Sequence, residues 1–148
     1  MEGKRAQITA FVLDNSVAMR WLLDGARPKD QRYAQSVLNS LIDAEAHVPN
    51  LWHLEAANVL LGAEQHGDVS AGEVERFIYQ LENLPIQVDP QTAHQAFGRT
   101  RALSTAYGLS SYDAAYLELA LREGLPIATL DKRLRQAATQ ADIETYLG

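Results

Sequence analysis

The hydrophobic positions of this chain fall in short runs that alternate with longer stretches of helical spacing. The short runs predict buried strands at residues 9–13, 47–49, 86–88, 126–128 and 143–147. The longer stretches predict helices over 16–23, 32–46, 51–65, 71–84, 90–107, 111–124 and 132–139, with a loop at 24–30. Strands that alternate with helices predict a parallel sheet covered by helices on both faces.

Local signals support several of these boundaries. Ser70 and Glu73 form a capping-box pattern before the helix predicted at 71–84. Pro90 suits the first position of the next helix, and Gly108 suits its C-terminal cap. The 148 residues fit a single α/β domain over 1–148, a three-layer sandwich with a central parallel sheet.

Composition narrows the class of protein. Hydrophobic residues make up 47% and charged residues 22%, as in an ordinary globular chain. No apolar run approaches the roughly 18 residues of a membrane span, and the apolar stretch near the N-terminus is too short for a signal peptide. We therefore expect a cytoplasmic protein. The absence of cysteine excludes disulfides, thiolate chemistry and zinc sites built on cysteine.

The net charge of −6 argues against a protein that coats nucleic acid, because such proteins carry a basic face. It leaves a nuclease open, since a carboxylate-rich metal site contributes negative charge that bound cations cancel.

Four carboxylates stand in apolar stretches. Asp14 and Asp131 each close an apolar run, and Glu55 and Asp113 each have no lysine or arginine within four residues. A carboxylate in such surroundings is costly unless a cation or a hydrogen-bond network compensates it. Because Mg²⁺ prefers clustered carboxylate oxygens, the four residues predict a shared metal site.

The predicted fold brings these residues to one edge of the sheet. Asp14 and Asp131 directly follow strands, whereas Glu55 and Asp113 lie in the first turns of helices. In a parallel α/β sheet, strand ends and the starts of the following helices face the same edge, where the helix dipole favours negative charge. All four carboxylates can therefore reach one cleft.

Each carboxylate also has a plainer explanation. Asp14 and Asp131 can serve only as N-caps of the helices that follow them. Glu55 can be a solvated surface residue, and Asp113 can occupy its position because of the helix dipole alone. The four residues together favour a shared site more strongly than any one of them does.

Candidate substrate contacts accompany the carboxylates. The hydroxyls of Ser16 and Thr129 follow the same two strands and can bind a carboxylate or a phosphate, although such hydroxyls are common in turns. Lys132 and Arg133 begin the last helix, where cations oppose the helix dipole. That position indicates phosphate contact, and a solvated helix face is the alternative.

Other chemistries are excluded by their missing motifs. The chain has no G-x-G-x-x-G, no P-loop and no G-x-S-x-G. The four histidines lack metal-ligand spacing, and no D-x-D follows the first strand, which argues against an aspartyl-phosphate phosphatase.

From about residue 9 onward the chain resembles a PIN-domain ribonuclease of the VapC toxin type. The resemblance rests on four motifs in this order: LDNS at 13–16, LEAANVL at 54–60, SYDAAYLELA at 111–120 and ATLDKRL at 128–134. Two features are less typical of the family: the extra residues before the first strand, and the negative net charge of the chain.

The resemblance implies an endoribonuclease that hydrolyses RNA phosphodiester bonds with Mg²⁺ or Mn²⁺. It assigns catalysis to Asp14, Glu55, Asp113 and Asp131, with the three aspartates holding the metal. Glu55 binds the metal directly or through water, or helps to orient the nucleophile. The resemblance also implies a homodimer and a cognate antitoxin that inserts a peptide into the active site.

Two alternatives stay open at the level of sequence. One is a PIN nuclease of RNA processing or decay that has no antitoxin. The other is a catalytically silent PIN fold that acts as a binding module, against which the complete set of carboxylates argues.

Overall fold

The computed structural model of the chain describes residues 9–148. In chain order its elements are β1 Thr9–Leu13, α1 Asn15–Ala18, α2 Pro28–Ser40, β2 Ala44–Val48, α3 Trp52–Gln65, α4 Ala71–Glu82, β3 Ile86–Val88, α5 Thr92–Gln95, α6 Arg101–Tyr107, α7 Ser111–Glu123, β4 Ile127–Ala128 and α8 Lys132–Gln140. A 3₁₀ turn, Met19–Trp21, follows α1, and a π-helical segment, Ala96–Thr100, joins α5 to α6. The atypical N-terminal residues noted in the sequence lie outside the described residues.

The four strands form one parallel sheet in the order β3-β2-β1-β4, flanked by helices. The predicted three-layer α/β sandwich is therefore confirmed. The chain moves outward in one direction from β1 to β2 and β3, and β4 then joins the other side of β1. The strand order reverses between β1 and β4, and ligand sites of open α/β sheets form at such a switch point.

The sheet centre is the most deeply buried part of the described chain. Phe11, Val12 and Leu13 of β1 have no exposed surface, which explains why β1 reads as a continuous apolar run. One long helix, α7, is buried from Ala114 to Ala120 and packs against β1 and β4. Both elements carry candidate site residues at their ends, so the site is built on the rigid core.

The prediction of a helix over 32–46 is wrong at both ends. The helix α2 starts earlier, at Pro28, because proline is favoured in the first turn, and it ends at Ser40. The segment Ala44–Val48 is the strand β2, in which buried and half-buried residues alternate. That period of two was legible in the sequence Ala-Glu-Ala-His-Val and indicates a strand rather than a helix.

Two further predictions are corrected. The strand predicted at 143–147 is only a single bridge between Thr145 and Ile127. Asp142 and Leu147 on either side adopt positive φ angles of 63° and 57°, which end the extended conformation. The helix predicted to start at Pro90 starts instead at Thr92, and the π-helical segment interrupts it.

The caps predicted for α4 and at Gly108 are confirmed. Ser70 and Glu73 form the reciprocal capping box at the start of α4. Gly108 ends α6 with a φ of 66°, a left-handed conformation that glycine adopts without steric cost. Ser110 caps α7, because its hydroxyl oxygen accepts a hydrogen bond from the backbone N–H of Asp113. Within residues 9–148 we find no helix with the length and apolar character that a membrane span requires.

Candidate active site

The four predicted carboxylates lie at the carboxyl edge of the sheet, around the switch point. Asp14 is the first residue after β1, and its backbone N–H donates to the Ala128 carbonyl of β4 across 3.0 Å. Asp131 precedes α8, while Glu55 and Asp113 lie in the first turns of α3 and α7. We refer to these four side chains as the acidic cluster.

Asp14 is the buried centre of the acidic cluster, with 8% of its surface exposed. Its Oδ2 accepts hydrogen bonds from Ser16 Oγ at 2.6 Å and from Thr129 Oγ1 at 2.8 Å. The two hydroxyl oxygens lie 3.3 Å apart, so Oδ2 is held between them. These hydrogen bonds use only one of the two carboxylate oxygens.

Burial raises the pKa of Asp14 from 3.8 to about 6, against the lowering effect of the Ser16 and Thr129 hydrogen bonds. The negative charges of Asp113 and Glu55 raise this pKa further. The carboxylates of Asp14, Glu55 and Asp113 lie on three separate elements, and this effect shows that they are close enough to repel one another. A cation placed among them would relieve both the desolvation and the repulsion.

Glu55 is half-buried and is held by neutral donors. Its Oε1 accepts a hydrogen bond from the Tyr116 hydroxyl at 2.5 Å and one from Asn15 Nδ2 at 3.4 Å. Burial raises the pKa of Glu55, these hydrogen bonds oppose the increase, and the charge of Asp113 adds to it.

Asp113 and Asp131 form the outer side of the acidic cluster. Burial raises the pKa of Asp113, the charge of Asp131 raises it further, and the charge of Arg133 opposes this. Asp131 is also a true N-cap, because its Oδ1 accepts from the backbone N–H of Leu134 at 3.0 Å. The capping explanation is therefore correct for Asp131, and it leaves Oδ2 without a hydrogen bond from the described residues.

The hydroxyls of Ser16 and Thr129 have partners within the protein. Besides Asp14, Ser16 Oγ accepts from the backbone N–H of Leu130 at 2.8 Å, and Thr129 Oγ1 accepts from that of Asp131 at 3.0 Å. Thr129 is buried and Ser16 is half-buried. The two side chains thus connect Asp14 to the loop that carries Asp131.

The basic residues at the start of α8 divide into two kinds. Lys132 and Arg133 are exposed. Arg135 is half-buried, donates to the Thr129 carbonyl at 2.5 Å and lies over the ring of Tyr33, with 5.8 Å to the centroid. Lys132 and Arg133 therefore present charge to solvent beside the acidic cluster, while Arg135 supports the loop.

The chemistry of the acidic cluster fits a hard divalent cation, although the side chains do not form a complete cage. Within residues 9–148, no three acidic or histidine side chains are grouped closely enough to hold a metal as they stand. Mg²⁺ keeps several waters and takes only one or two protein carboxylates in many sites. Asp14 offers a second oxygen, and no described lysine or arginine forms an ion pair with any member of the cluster. A partly hydrated ion can satisfy those oxygens.

Sequence reasoning missed two polar residues beside the acidic cluster. In the sequence, Asn15 suits a position near the cap of the first helix, and Tyr116 suits a core position. Tyr116 is indeed wholly buried, yet its hydroxyl reaches Glu55 on another helix. No spacing along the chain reveals a contact between residues 61 positions apart. The one hint in the sequence is that Tyr116 follows Asp113 by three residues, a spacing that places both on the same face of a helix.

A buried ion-pair network was also missed. The Arg122 guanidinium binds Asp89 through contacts of 2.6 and 3.1 Å and Glu118 through contacts of 2.8 and 3.0 Å. Asp89 and Glu118 are 8% and 2% exposed, so the network fixes α7 to the segment after β3 inside the protein. We refer to these three residues as the Arg122 network.

Comparison with known proteins decides the family. Residues 11–140 match the PIN domain. The chain belongs to the PIN-domain family. This confirms the PIN-domain part of the resemblance drawn from the sequence motifs, and PIN domains are generally nucleases that use a divalent metal ion.

Solved structures agree with the PIN fold. The chain is similar to PAE2754 from Pyrobaculum aerophilum, with a TM-score of 0.63 and 19% identity over 87% of this chain and 86% of that chain. It is also similar to FitAcB from Neisseria gonorrhoeae, with a TM-score of 0.56 and 19% identity over 92% of this chain and 96% of that chain. A comparison with curated proteins found no match.

Proposed function

We propose that this PIN domain is a Mg²⁺-dependent endoribonuclease of the VapC toxin type. The observation that carries the proposal is the environment of Asp14. Its buried carboxylate senses the charges of Glu55 and Asp113, has no described cationic partner, and has a pKa of about 6. At a pH where this group is ionised the fold gains no stability from it, which supports a role of the acidic cluster in chemistry.

The proposal assigns distinct roles within the acidic cluster. Asp14, Asp113 and Asp131 hold the metal, and Glu55 binds it directly or through water, or orients the attacking water. A bound Mg²⁺ supplies an activated water and stabilises the negative charge that develops on the phosphate. Mn²⁺ can take its place, because both ions accept oxygen ligands in octahedral geometry.

Residues around the acidic cluster serve positioning and substrate binding in this proposal. Ser16 and Thr129 orient Asp14, since their hydroxyls donate to its Oδ2. Lys132 and Arg133 are exposed beside the cluster and bind phosphates of the RNA backbone. These two cations place positive charge beside the cluster in a chain whose net charge is negative.

The remaining parts of the proposal rest on the family resemblance. They are a cognate antitoxin that blocks the acidic cluster with a peptide, a homodimer, a cytoplasmic location and a single domain over residues 1–148. The antitoxin is the part that separates a toxin from a PIN nuclease of RNA processing.

Mapping of RNA 5′ ends in cells tests the toxin proposal. The wild type, Asp113→Asn and the exposed control Asp43→Asn are induced to equal soluble levels. We expect growth arrest and new 5′ ends at a few sites with the wild type and with Asp43→Asn, and neither effect with Asp113→Asn. Co-expression of a small DNA-binding protein encoded beside this gene should abolish both effects.

Two results would count against the proposal. New 5′ ends that appear equally with Asp113→Asn would place the cleavage outside the acidic cluster. Cleavage that no neighbouring gene product suppresses would favour an RNA-processing nuclease over a toxin.

A further inference from the structure

Tyr116 presents one polar atom inside an apolar environment, and that atom faces the acidic cluster. Its residue surface is 0% exposed, and its ring belongs to the hydrophobic core. Tyr116 follows Asp113 by three residues on α7, which places both side chains on the same helix face, with Tyr116 deeper. The hydroxyl donates to Glu55 Oε1 across 2.5 Å.

Asn15 completes the arrangement around this hydrogen bond. Its Nδ2 lies 3.0 Å from the Trp52 carbonyl, 3.4 Å from Glu55 Oε1 and 3.5 Å from the Tyr116 hydroxyl. Asn15 is buried and directly follows Asp14. The contacts connect the end of β1 to the starts of α3 and α7, the three elements that carry Asp14, Glu55 and Asp113.

The geometry restricts a side chain that is otherwise free to move. A glutamate has three rotatable bonds, and one as exposed as Glu55 would ordinarily sample several rotamers. The two donors bind Oε1 and leave Oε2 without a hydrogen bond from the described residues. Glu55 is thereby held at one oxygen and available for chemistry at the other. Preorganised site residues are held by neighbours of this kind.

We propose that Tyr116 is a positioning residue that acts on the reaction through Glu55. The inference rests on the proposed nuclease function and assigns a role that the sequence motifs did not supply. A buried tyrosine that served the core alone would also need a hydrogen-bond partner for its hydroxyl, but removing that bond would then affect stability and not the reaction. A positioning residue must lose its effect when its partner is removed, and this distinction is measurable.

A double-mutant cycle tests the proposal, because it isolates the coupling between two residues. Tyr116→Phe, Glu55→Gln and the double variant are assayed for cleavage of a labelled RNA oligonucleotide with Mg²⁺. We expect Tyr116→Phe to lower kcat by about 10–100-fold with little change in KM, as the loss of a supporting hydrogen bond does around metal ligands. The double variant should be no slower than Glu55→Gln alone.

Tyr112→Phe is the matched control, because Tyr112 lies on the same helix and its side chain is 65% exposed. We expect it to retain wild-type kcat. Wild-type kcat in Tyr116→Phe, or losses that multiply in the double variant, would overturn the proposal.

Glu55→Asp keeps the charge and withdraws the carboxylate from the Tyr116 hydroxyl. If position matters, this variant loses activity to about the extent of Glu55→Gln. Wild-type activity in Glu55→Asp would overturn the proposal even if Tyr116→Phe fails to fold.

A Mg²⁺ titration without RNA, followed by the midpoint of thermal unfolding, separates this inference from the proposed function. We expect Tyr116→Phe to weaken Mg²⁺ binding when Glu55 is present and to have no further effect in the Glu55→Gln background. This pattern of Mg²⁺ binding, found together with no RNA cleavage, would support the positioning role of Tyr116 and contradict the proposed nuclease function. Equal weakening in both backgrounds would overturn the positioning role whether or not the protein cleaves RNA.

Discussion

The hydroxyl of Thr129 donates to Asp14 Oδ2 across 2.8 Å and thereby joins the ends of β1 and β4, which are 115 residues apart in sequence. Ser16 binds the same oxygen. The central carboxylate of the acidic cluster is therefore oriented by neutral hydroxyls rather than by a lysine or arginine. Neutral donors fix its position and leave its negative charge for a cation.

Replacing Thr129 by valine should raise the pKa of Asp14 above 6. Valine keeps the shape of threonine, but it removes a hydrogen bond that stabilises the ionised carboxylate and lowers its pKa. Carbon-13 NMR of the Asp14 carboxyl group, titrated in EDTA, measures the change. Thr129→Ser retains the donor and should keep the pKa near that of the wild type, so equal shifts in both variants would contradict the role of the hydroxyl.

Asp14→Asn should stabilise the metal-free protein at pH 8. The folded-state pKa of Asp14, about 6, is above its ordinary value of 3.8. The protonated form therefore contributes stability that is fully present below 3.8 and is lost as the pH rises through 6. The difference between the two pKa values corresponds to about 3 kcal/mol of unfolding free energy.

Urea denaturation in EDTA from pH 4 to pH 8 checks this prediction. The free energy of unfolding of Asp14→Asn should exceed that of the wild type by a margin that grows as the pH rises. The two proteins should be about equally stable near pH 4. Asp43→Asn removes the same charge at an exposed position before β2 and should show no such dependence. A wild type that is the more stable protein at pH 8 would show that the fold tolerates the buried charge.

Mg²⁺ should reverse the order of stability between the wild type and Asp14→Asn. A ligand that binds only the folded state stabilises it by about 2.7 kcal/mol at a concentration one hundred times its Kd. Thermal unfolding with increasing MgCl₂ should raise the Tm of the wild type and of Asp43→Asn, and leave Asp14→Asn nearly unchanged. A similar increase in all three proteins would indicate a general salt effect.

Arg122→Ala should be strongly destabilising. It leaves Asp89 buried without its cation and Glu118 with only Arg99, 4.0 Å away, and breaking a buried pair in this way costs about 3–5 kcal/mol. Urea denaturation measures the loss, with the exposed Arg76→Ala expected within about 0.5 kcal/mol of the wild type. Arg122→Lys should lie between them, because lysine keeps the charge and loses the paired hydrogen bonds. A loss below about 1 kcal/mol in Arg122→Ala would mean that water replaces the network.

The fold and the acidic cluster were largely predictable because their signals are local. The apolar run of β1 ends at Asp14, and the rule that parallel strand ends share an edge with helix starts places Asp14, Glu55 and Asp113 together. The strand β2 was predicted at residues 47–49 and in fact begins at Ala44; its start was misplaced although its alternation is visible, because Ala44 and Ala46 also continue the helical pattern of α2.

The supporting contacts could not be predicted, because they depend on burial and on orientation between elements. Tyr116 and Glu55 lie on different helices, and Arg122 and Asp89 are 33 residues apart. Glu118 and Arg122 are separated by four residues and look like an ordinary surface pair in the sequence. Only the fold shows that their partner Asp89 is buried beside them.

Cleavage of RNA by the purified protein is the most direct test of the central claim that the acidic cluster is a Mg²⁺-dependent nuclease site. A mixture of cellular RNA and a labelled oligonucleotide is incubated with the wild type, Asp14→Asn, Asp113→Asn and Asp43→Asn, with MgCl₂ or with EDTA. We predict cleavage by the wild type and by Asp43→Asn with MgCl₂ only, and a decrease of at least about 100-fold in the two cluster variants. Full cleavage by Asp14→Asn or Asp113→Asn, or by the wild type in EDTA, would contradict the claim.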